Sequence, residues 1–300
     1  MPCDATLDKS IQVWLSSPAH LLWIMFNQLT NQTHAPSVSV VIPSYNRRQW
    51  IERALQSVIE QSYDNIVEII VVDDGSQDDT CAFLKSNHPD INVIENEKNS
   101  GACFSRNRGA EAAQGEYIAF LDSDDQFHRR KIELQIDEIS NSDAFISTCA
   151  FEDDAGKIAC NTDLSNSNIH SILKYRNCLG GSSALLIKKS FFLDYKFNEI
   201  FKATQDWELF FRLSKHNKII HLTTPLYHYG IVSNDRITSN SKTRYQGHKQ
   251  LYEMHLKPYL ISKVAFFFLL NALKQDAKYT SQKKANIPKW LYVKMTKLLG

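Results

Sequence analysis

Between Glu116 and Asp125 the chain reads Glu-Tyr-Ile-Ala-Phe-Leu-Asp-Ser-Asp-Asp, a wholly apolar strand that runs straight into Asp122, Asp124 and Asp125. Packing alone does not explain such an ending, because clustered carboxylates repel one another and are costly to desolvate. A divalent cation among them removes the repulsion, and hard oxygen ligands suit Mg²⁺ or Mn²⁺. A cation at the carboxyl end of a strand is well placed to hold a diphosphate.

The segments around it point to one architecture. Val38–Ile42, Ile66–Val72 and Ile91–Ile94 read as strands that are apolar almost throughout. Between them, Trp50–Gln61 carries Ile51, Ala54, Leu55, Val58 and Ile59 at helical spacing. Asp79–Asn87 and Gly101–Ala113 complete the alternation as further helices. Apolar strands alternating with helices predict an α/β fold, a mostly parallel sheet with helices on both faces. In such sheets ligands bind beyond the carboxyl ends of the strands. The polar clusters Ser44–Asn46, Asp73–Ser76 and Asp122–Asp125 all follow strand ends, which places them on one edge. No Gly-x-Gly-x-x-Gly follows the first strand and no P-loop pattern occurs, so both of those nucleotide-binding readings fail.

Beyond Ala144 the pattern is less regular. It suggests a strand over Phe145–Ala150, helices over Ile169–Tyr175 and Thr204–Ser214, and a short strand over Leu185–Ile187. Residues 1–36 read as an extension with one short helix near Leu21, 37–240 as the main domain, and 241–300 as a helical, finally basic, C-terminal extension. The net charge of +1 gives no reason to expect nucleic-acid binding. The six scattered cysteines read as core residues in a reducing compartment. Neither Leu21–Phe26 nor Val264–Leu270 approaches the roughly 20 residues of a membrane helix, and Met1–Asp4 lacks the basic start of a signal peptide. The expected location is cytoplasmic, with any membrane contact peripheral. From Lys274 onward seven lysines stand against the single acid Asp276, beside Trp290 and Leu291. That combination suits an anionic membrane surface, and a basic helix packed on the domain is the alternative.

Taken in order, Pro43-Ser-Tyr45-Asn46, Asp73-Asp74-Gly75-Ser76, Asn99-Ser-Gly101 with Arg106-Asn107, and Asp122-Ser-Asp124-Asp125 resemble family 2 glycosyltransferases over roughly residues 37 to 240. That resemblance implies the GT-A fold and an inverting enzyme that uses a nucleotide sugar. It also implies a set of roles. Pro43, Tyr45 and Asn46 would form the turn after the first strand, with Tyr45 packed against the nucleobase. Asp74 would accept from the base's imino group, a contact that favours uracil, and Asp73 would organise the loop. Arg106 and Asn107 would support the pocket. Asp124 would ligate Mn²⁺ or Mg²⁺, Asp122 would bind the ribose or complete the metal shell, and His228 would be a further metal or diphosphate ligand.

The resemblance also implies a general base, Asp206. Family members usually carry Glu-Asp where this chain has Gln205-Asp206, so what the usual Glu does is open. Glu208 and Arg212, four apart, read as an ordinary surface ion pair. The implied donor is a UDP-hexose and the acceptor a glycan or lipid-linked saccharide of a surface polysaccharide or lipopolysaccharide. A sugar-1-phosphate nucleotidyltransferase would need a Gly-rich basic loop after the first strand, which is absent. A non-catalytic nucleotide-sugar-binding protein and a transferase to polyprenyl phosphate remain as alternatives.

Overall fold

A computed structural model of the chain describes residues 35–230 and 241–256. The chain divides at Pro36, and everything below concerns the unit that begins at Ser37. The short helix near Leu21 and the basic tail lie outside the described residues.

Strands β1 (Val38–Ser44), β2 (Ile66–Asp73), β3 (Asn92–Glu95) and β4 (Tyr117–Phe120) form a parallel block in the order β3-β2-β1-β4. They are joined by α1 (Ile51–Ile59), α2 (Thr80–Asn87) and α3 (Ala102–Ala112). The chain moves outward from β1 to β3, then crosses back to β4 on the other side of β1. That reversal opens a crevice at the carboxyl ends of β1 and β4. Register sharpens the effect: Ser44 pairs with Asp73, and Asp73 with Glu95, so three strands end level and their loops start side by side.

Past β4 the sheet is mixed. The short β5 (Gln126–Phe127) leads to α4 (Lys131–Ser140), then β6 (Ile146–Asp153), β7 (Ile158–Ala159) and α5 (Ile169–Leu173). A 3₁₀ turn at Ser182–Ala184 opens β8 (Leu186–Lys188), followed by α6 (Lys189–Tyr195), α7 (Gln205–Leu213), β9 (Ile220–Tyr229) and α8 (Ser241–Leu251). Strand β8 lies antiparallel to β4, with Ala119 opposite Leu186. Its starting end therefore meets the finishing end of β4, which delivers the Gly180–Ser183 loop to the crevice.

Side-chain alternation along β1 feeds two cores. Val40 and Ile42 face Ile51, Leu55 and Val58 of α1 and Ile132 and Ile136 of α4. Val41, with Ile70 and Val72, faces Cys103 and Ala110 of α3 and the aromatic face of α7. Helices thus cover both faces, as expected for strands apolar on both sides. The described cysteines are all free thiols.

Three elements escape the periodicity reading. Helix α4 has Ile132, Ile136 and Ile139 at the required spacing, all buried, but Lys131 and Gln135 are buried among them. Helix α6 follows β8 with no intervening loop, so no turn signal marks its start. Strand β9 contains Pro225, which argues against a strand. The ladder accommodates it by slipping register, pairing Cys149 with Leu222 but Ala150 with Pro225.

Candidate active site

Two loops at the level strand ends are fastened to each other before any ligand is considered. Asn46, in the left-handed region at φ 52°, donates its N–H to Ser76 Oγ (2.8 Å) and accepts from Gln77 N–H (2.7 Å). Asp73 accepts from the Ser76 N–H (2.9 Å) and hydroxyl (2.6 Å). Gly75 takes the φ of +73° that closes this turn, where a Cβ would meet the Lys98 backbone at 2.9 Å. Asn46 and Asp73 therefore shape the edge from behind, and neither lines the crevice.

The next carboxylate does line it. Asp74 is buried and accepts from Asn96 Nδ2 (2.7 Å), Ser100 N–H (2.9 Å) and Gly101 N–H (2.7 Å). It thereby holds the Asn99–Gly101 loop, which forms one wall. Pro43, Ser44, Tyr45 and Arg47 form the adjoining wall. Ser44 Oγ is buried with no hydrogen-bond partner, an orphan facing the cleft.

Arg106 projects from α3 into the wall of the cleft and is buried. Its Nη2 donates to Asp122 Oδ1 (2.5 Å) and its Nη1 to Gln205 Oε1 (2.9 Å). Burial opposes its charge, but Asp122 beside it holds the guanidinium protonated. Gln205 thus ties Arg106 to the start of α7 through a neutral contact, while its Nε2 donates to Phe201 O (3.1 Å).

Asp206 follows at the first turn of α7 and faces the same cleft as Asp74, Asp122 and Asp124. Asn177 Nδ2 donates to its Oδ2 (3.1 Å) and to Gly180 O (2.7 Å), so the Gly180 loop and the carboxylate share one orienting side chain. Burial lifts the Asp206 pKa to about 6, against the lowering effects of the Trp207 N–H and Arg106, with Asp122 adding to the rise. Such a carboxylate is poised to take a proton near neutral pH.

The three-carboxylate cluster separates on folding. Asp125 turns away, accepting from Ser183 Oγ (2.7 Å) and Gly230 N–H (3.2 Å). Asp122 and Asp124 remain in the cleft, whose volume is about 530 Å³. Among the described residues no group of three or more His, Cys, Asp or Glu is placed to hold a metal ion. Two carboxylates fit a hard cation that takes its other ligands from a diphosphate and water, which is how Mg²⁺ commonly binds.

Residues 39–186 match the profile of Glycosyl transferase family 2. Over those residues the chain belongs to that family. Among its relatives is the amylovoran biosynthesis glycosyltransferase AmsB of Erwinia amylovora, 27% identical over 265 residues, covering 83% of this chain and 86% of AmsB. Staphylococcus aureus TarS 1–349, solved with UDP-GlcNAc, superposes with a TM-score of 0.62 at 20% identity over 83% of this chain and 76% of that one. The mannosyltransferase PcManGT of Pyrobaculum calidifontis, solved with GDP-Man and Mn²⁺, gives 0.59 at 17% identity over 94% and 87%. At those identities the likeness is one of fold, and the fold is GT-A. The chain spans at most 41% of the length of the first four curated relatives it matches.

Within this glycosyltransferase fold, one expected ligand is misplaced. His228 Nε2 donates to Asp154 Oδ1 (2.7 Å), and His228 is not part of the cleft. Residues alternate across a strand, and its neighbours Tyr227 and Tyr229 both contact Phe151. Tyr229 lines the cleft, so His228 points to the opposite face. Asn107 also serves elsewhere, bonding Phe197 through both its amide groups (2.9 Å each). The Glu208–Arg212 pair exists but is not a surface pair: Glu208 is fully buried, bound by Arg212 (2.7 and 2.8 Å) and by His255 (2.8 Å).

Several residues lining the cleft or supporting it had no sequence signal. Asn177 lies 29 positions before Asp206, and only folding joins them. Lys202 reaches over the start of α3, where a Cβ on Gly101 would come 3.3 Å from its Nζ. Thr204 and Thr243 also line the cleft, from a loop and from α8.

Proposed function

We propose that this chain is a divalent-cation-dependent, inverting glycosyltransferase that moves a hexose from UDP to a hydroxyl of a glycan or lipid-linked saccharide in surface polysaccharide synthesis. The carrying observation is that Asp206, with a pKa near 6, shares one cleft with Asp74, Asp122 and Asp124. Family membership, AmsB and the UDP-GlcNAc and GDP-Man complexes of the fold relatives support the reading.

Tyr45 and the loop held by Asp74 receive the base, and the orphan Ser44 hydroxyl supplies a polar contact beside it. Asp206 takes the proton of the acceptor hydroxyl as that oxygen attacks the anomeric carbon. The bond from that carbon to the diphosphate oxygen breaks on the opposite face, so configuration inverts. Asp124, with the second oxygen of Asp122, would hold Mn²⁺ or Mg²⁺, which when bound neutralises the leaving diphosphate. Arg106 keeps Asp122 fixed and Asn177 keeps Asp206 aimed. No helix among the described residues is long and apolar enough to cross a membrane. Membrane contact through residues 274–300 rests on their sequence alone.

Incubation with a panel of nucleotide sugars, a lipid-linked saccharide mixture and Mn²⁺, monitoring nucleoside diphosphate release, tests the reading. Release of UDP from one donor, lost in Asp206→Asn, is the expected result. Donor binding without release under every condition would instead indicate a non-catalytic binding protein.

A further inference from the structure

The backbone that leads into α7 is pressed from outside by a helix beyond the family-matched residues 39–186. Gly247 of α8 is buried against it: a Cβ there would lie 2.7 Å from Ala203 O and 2.9 Å from Thr204 Oγ1. Every other amino acid but glycine would have to push that peptide away or lift the helix. Thr204 itself sits at φ 58°, ψ 25°, a region β-branched residues rarely adopt. Such conformations persist only where the surroundings over-determine them. Here the Thr204 hydroxyl donates to Ala203 O (2.6 Å), and Gly247 closes over both groups.

The rest of α8 and the π turn after it extend this contact along α7. His248 meets the edge of the Trp207 ring at 5.7 Å between centroids. Leu251 and Leu256 are fully buried in the core that also holds Trp207 and Leu209. His255 bonds buried Glu208 at 2.8 Å. Thr204, Trp207 and Glu208 are thus each touched from the C-terminal segment, and they bracket Asp206 on both sides in sequence. The same helix gives Thr243 to the cleft. The donor end, held by Asp74 and the Asn99–Gly101 loop, takes none of these contacts.

We propose that α8 is a brace that sets the position of Asp206, with Gly247 as the positioning residue that lets it seat on the Ala203–Thr204 peptide. The proposal rests on Asp206 being the base. Rate responds steeply to displacement of a catalytic group, and a shift near 1 Å can cost about 10²-fold. Sugar transfer therefore depends on α8, whereas nucleotide binding does not.

The test uses the full-length protein carrying Gly247→Ala. The expected result is a kcat lowered at least about tenfold, with UDP affinity by titration calorimetry and donor KM within about twofold of wild type. The acid limb of kcat against pH should also move from near 6 toward the ordinary carboxylate value as Asp206 shifts toward solvent. Adding Thr204→Gly to that variant removes one of the two clashing groups and frees the peptide, so part of the lost kcat should return. Unchanged kcat in a folded Gly247→Ala protein overturns the proposal, as does an equal loss of kcat and UDP affinity. Should Gly247→Ala not fold, His255→Ala against His255→Gln decides. A kcat lost in the first and restored in the second supports the brace, and equal activity in both overturns it. Asp206→Asn measured in parallel separates the two readings. If it is active, the base assignment falls and the brace with it; if it is inactive while Gly247→Ala has full kcat, only the brace falls.

Discussion

Asp206 is held between opposing forces. The first turn of a helix favours an anion, whereas burial disfavours one, and burial prevails to place the pKa near 6. The kcat/KM profile of wild type should therefore fall off on the acid side with an apparent pKa near 6, measured with the best donor from the panel. Asp206→Asn keeps shape and hydrogen bonding but cannot take a proton, so transfer should drop about 10²-fold or more while UDP binding barely changes. Stability should move the other way. The folded pKa lies above the unfolded value of 3.8, so the folded state binds the extra proton between about pH 4 and 6. Stability is lost as pH rises through that window, and the ionised carboxylate remains a liability above it. Asp206→Asn should accordingly raise the melting temperature at pH 7.5 by a few degrees, with the gain shrinking toward pH 4. An equal shift at both pH values would show that the carboxylate is not destabilised by its site.

Helix α7 carries Asp206 at one end and a buried ion cluster in its middle. Trp207, Leu209, Phe210, Phe211 and Leu213 bury its apolar side, worth about 1.5–3 kcal/mol for each large side chain. Burial raises the Glu208 pKa, but bonds from His255 and Arg212 outweigh it and hold the carboxylate charged. Arg212 also donates to Tyr195 O (2.7 Å) and Lys196 O (2.6 Å), closing the end of α6. Removing one partner of a buried pair leaves an uncompensated charge, so Arg212→Met should destabilise by about 3–5 kcal/mol. Glu208→Gln, which keeps a polar group of the same shape, should lose less. Urea unfolding with an unchanged slope measures both. A loss under 1 kcal/mol for Arg212→Met would mean that His255 suffices to hold Glu208. The i, i+4 spacing shows this pair in the sequence, but its burial depends on α6 and the segment after α8 arriving on the same side.

Across the molecule, the level ends of β1, β2 and β3 and the returning loop before β8 create a cleft that no single segment contains. If two carboxylates, Asp122 and Asp124, hold the cation there, as proposed, its affinity should depend on the nucleotide. EDTA should abolish transfer and Mn²⁺ or Mg²⁺ should restore it. Titration calorimetry should show Mn²⁺ binding far more tightly with UDP present than without. Full activity in EDTA would remove the cation from the reaction, and tight binding to the protein alone would require ligands beyond these two.

The linear chain determined the parallel α/β block, because strands apolar on both faces must be covered by helices on both sides. It also determined which loops face the ligand, since strand-end clusters in a parallel sheet share one edge. Asp74, Asp122 and Asp124 could be placed at that edge for that reason, whereas Arg106 and Asp206, on helices, entered only through the resemblance to family 2 glycosyltransferases. Only the tertiary structure decided which clustered groups stay together: Ser183 and Gly230 drew Asp125 away, and strand alternation turned His228 outward. Asn177 against Asp206 and Gly247 against Thr204 were decided there too. Those contacts join residues 29 and 43 positions apart through packing, and no local periodicity records a packing partner.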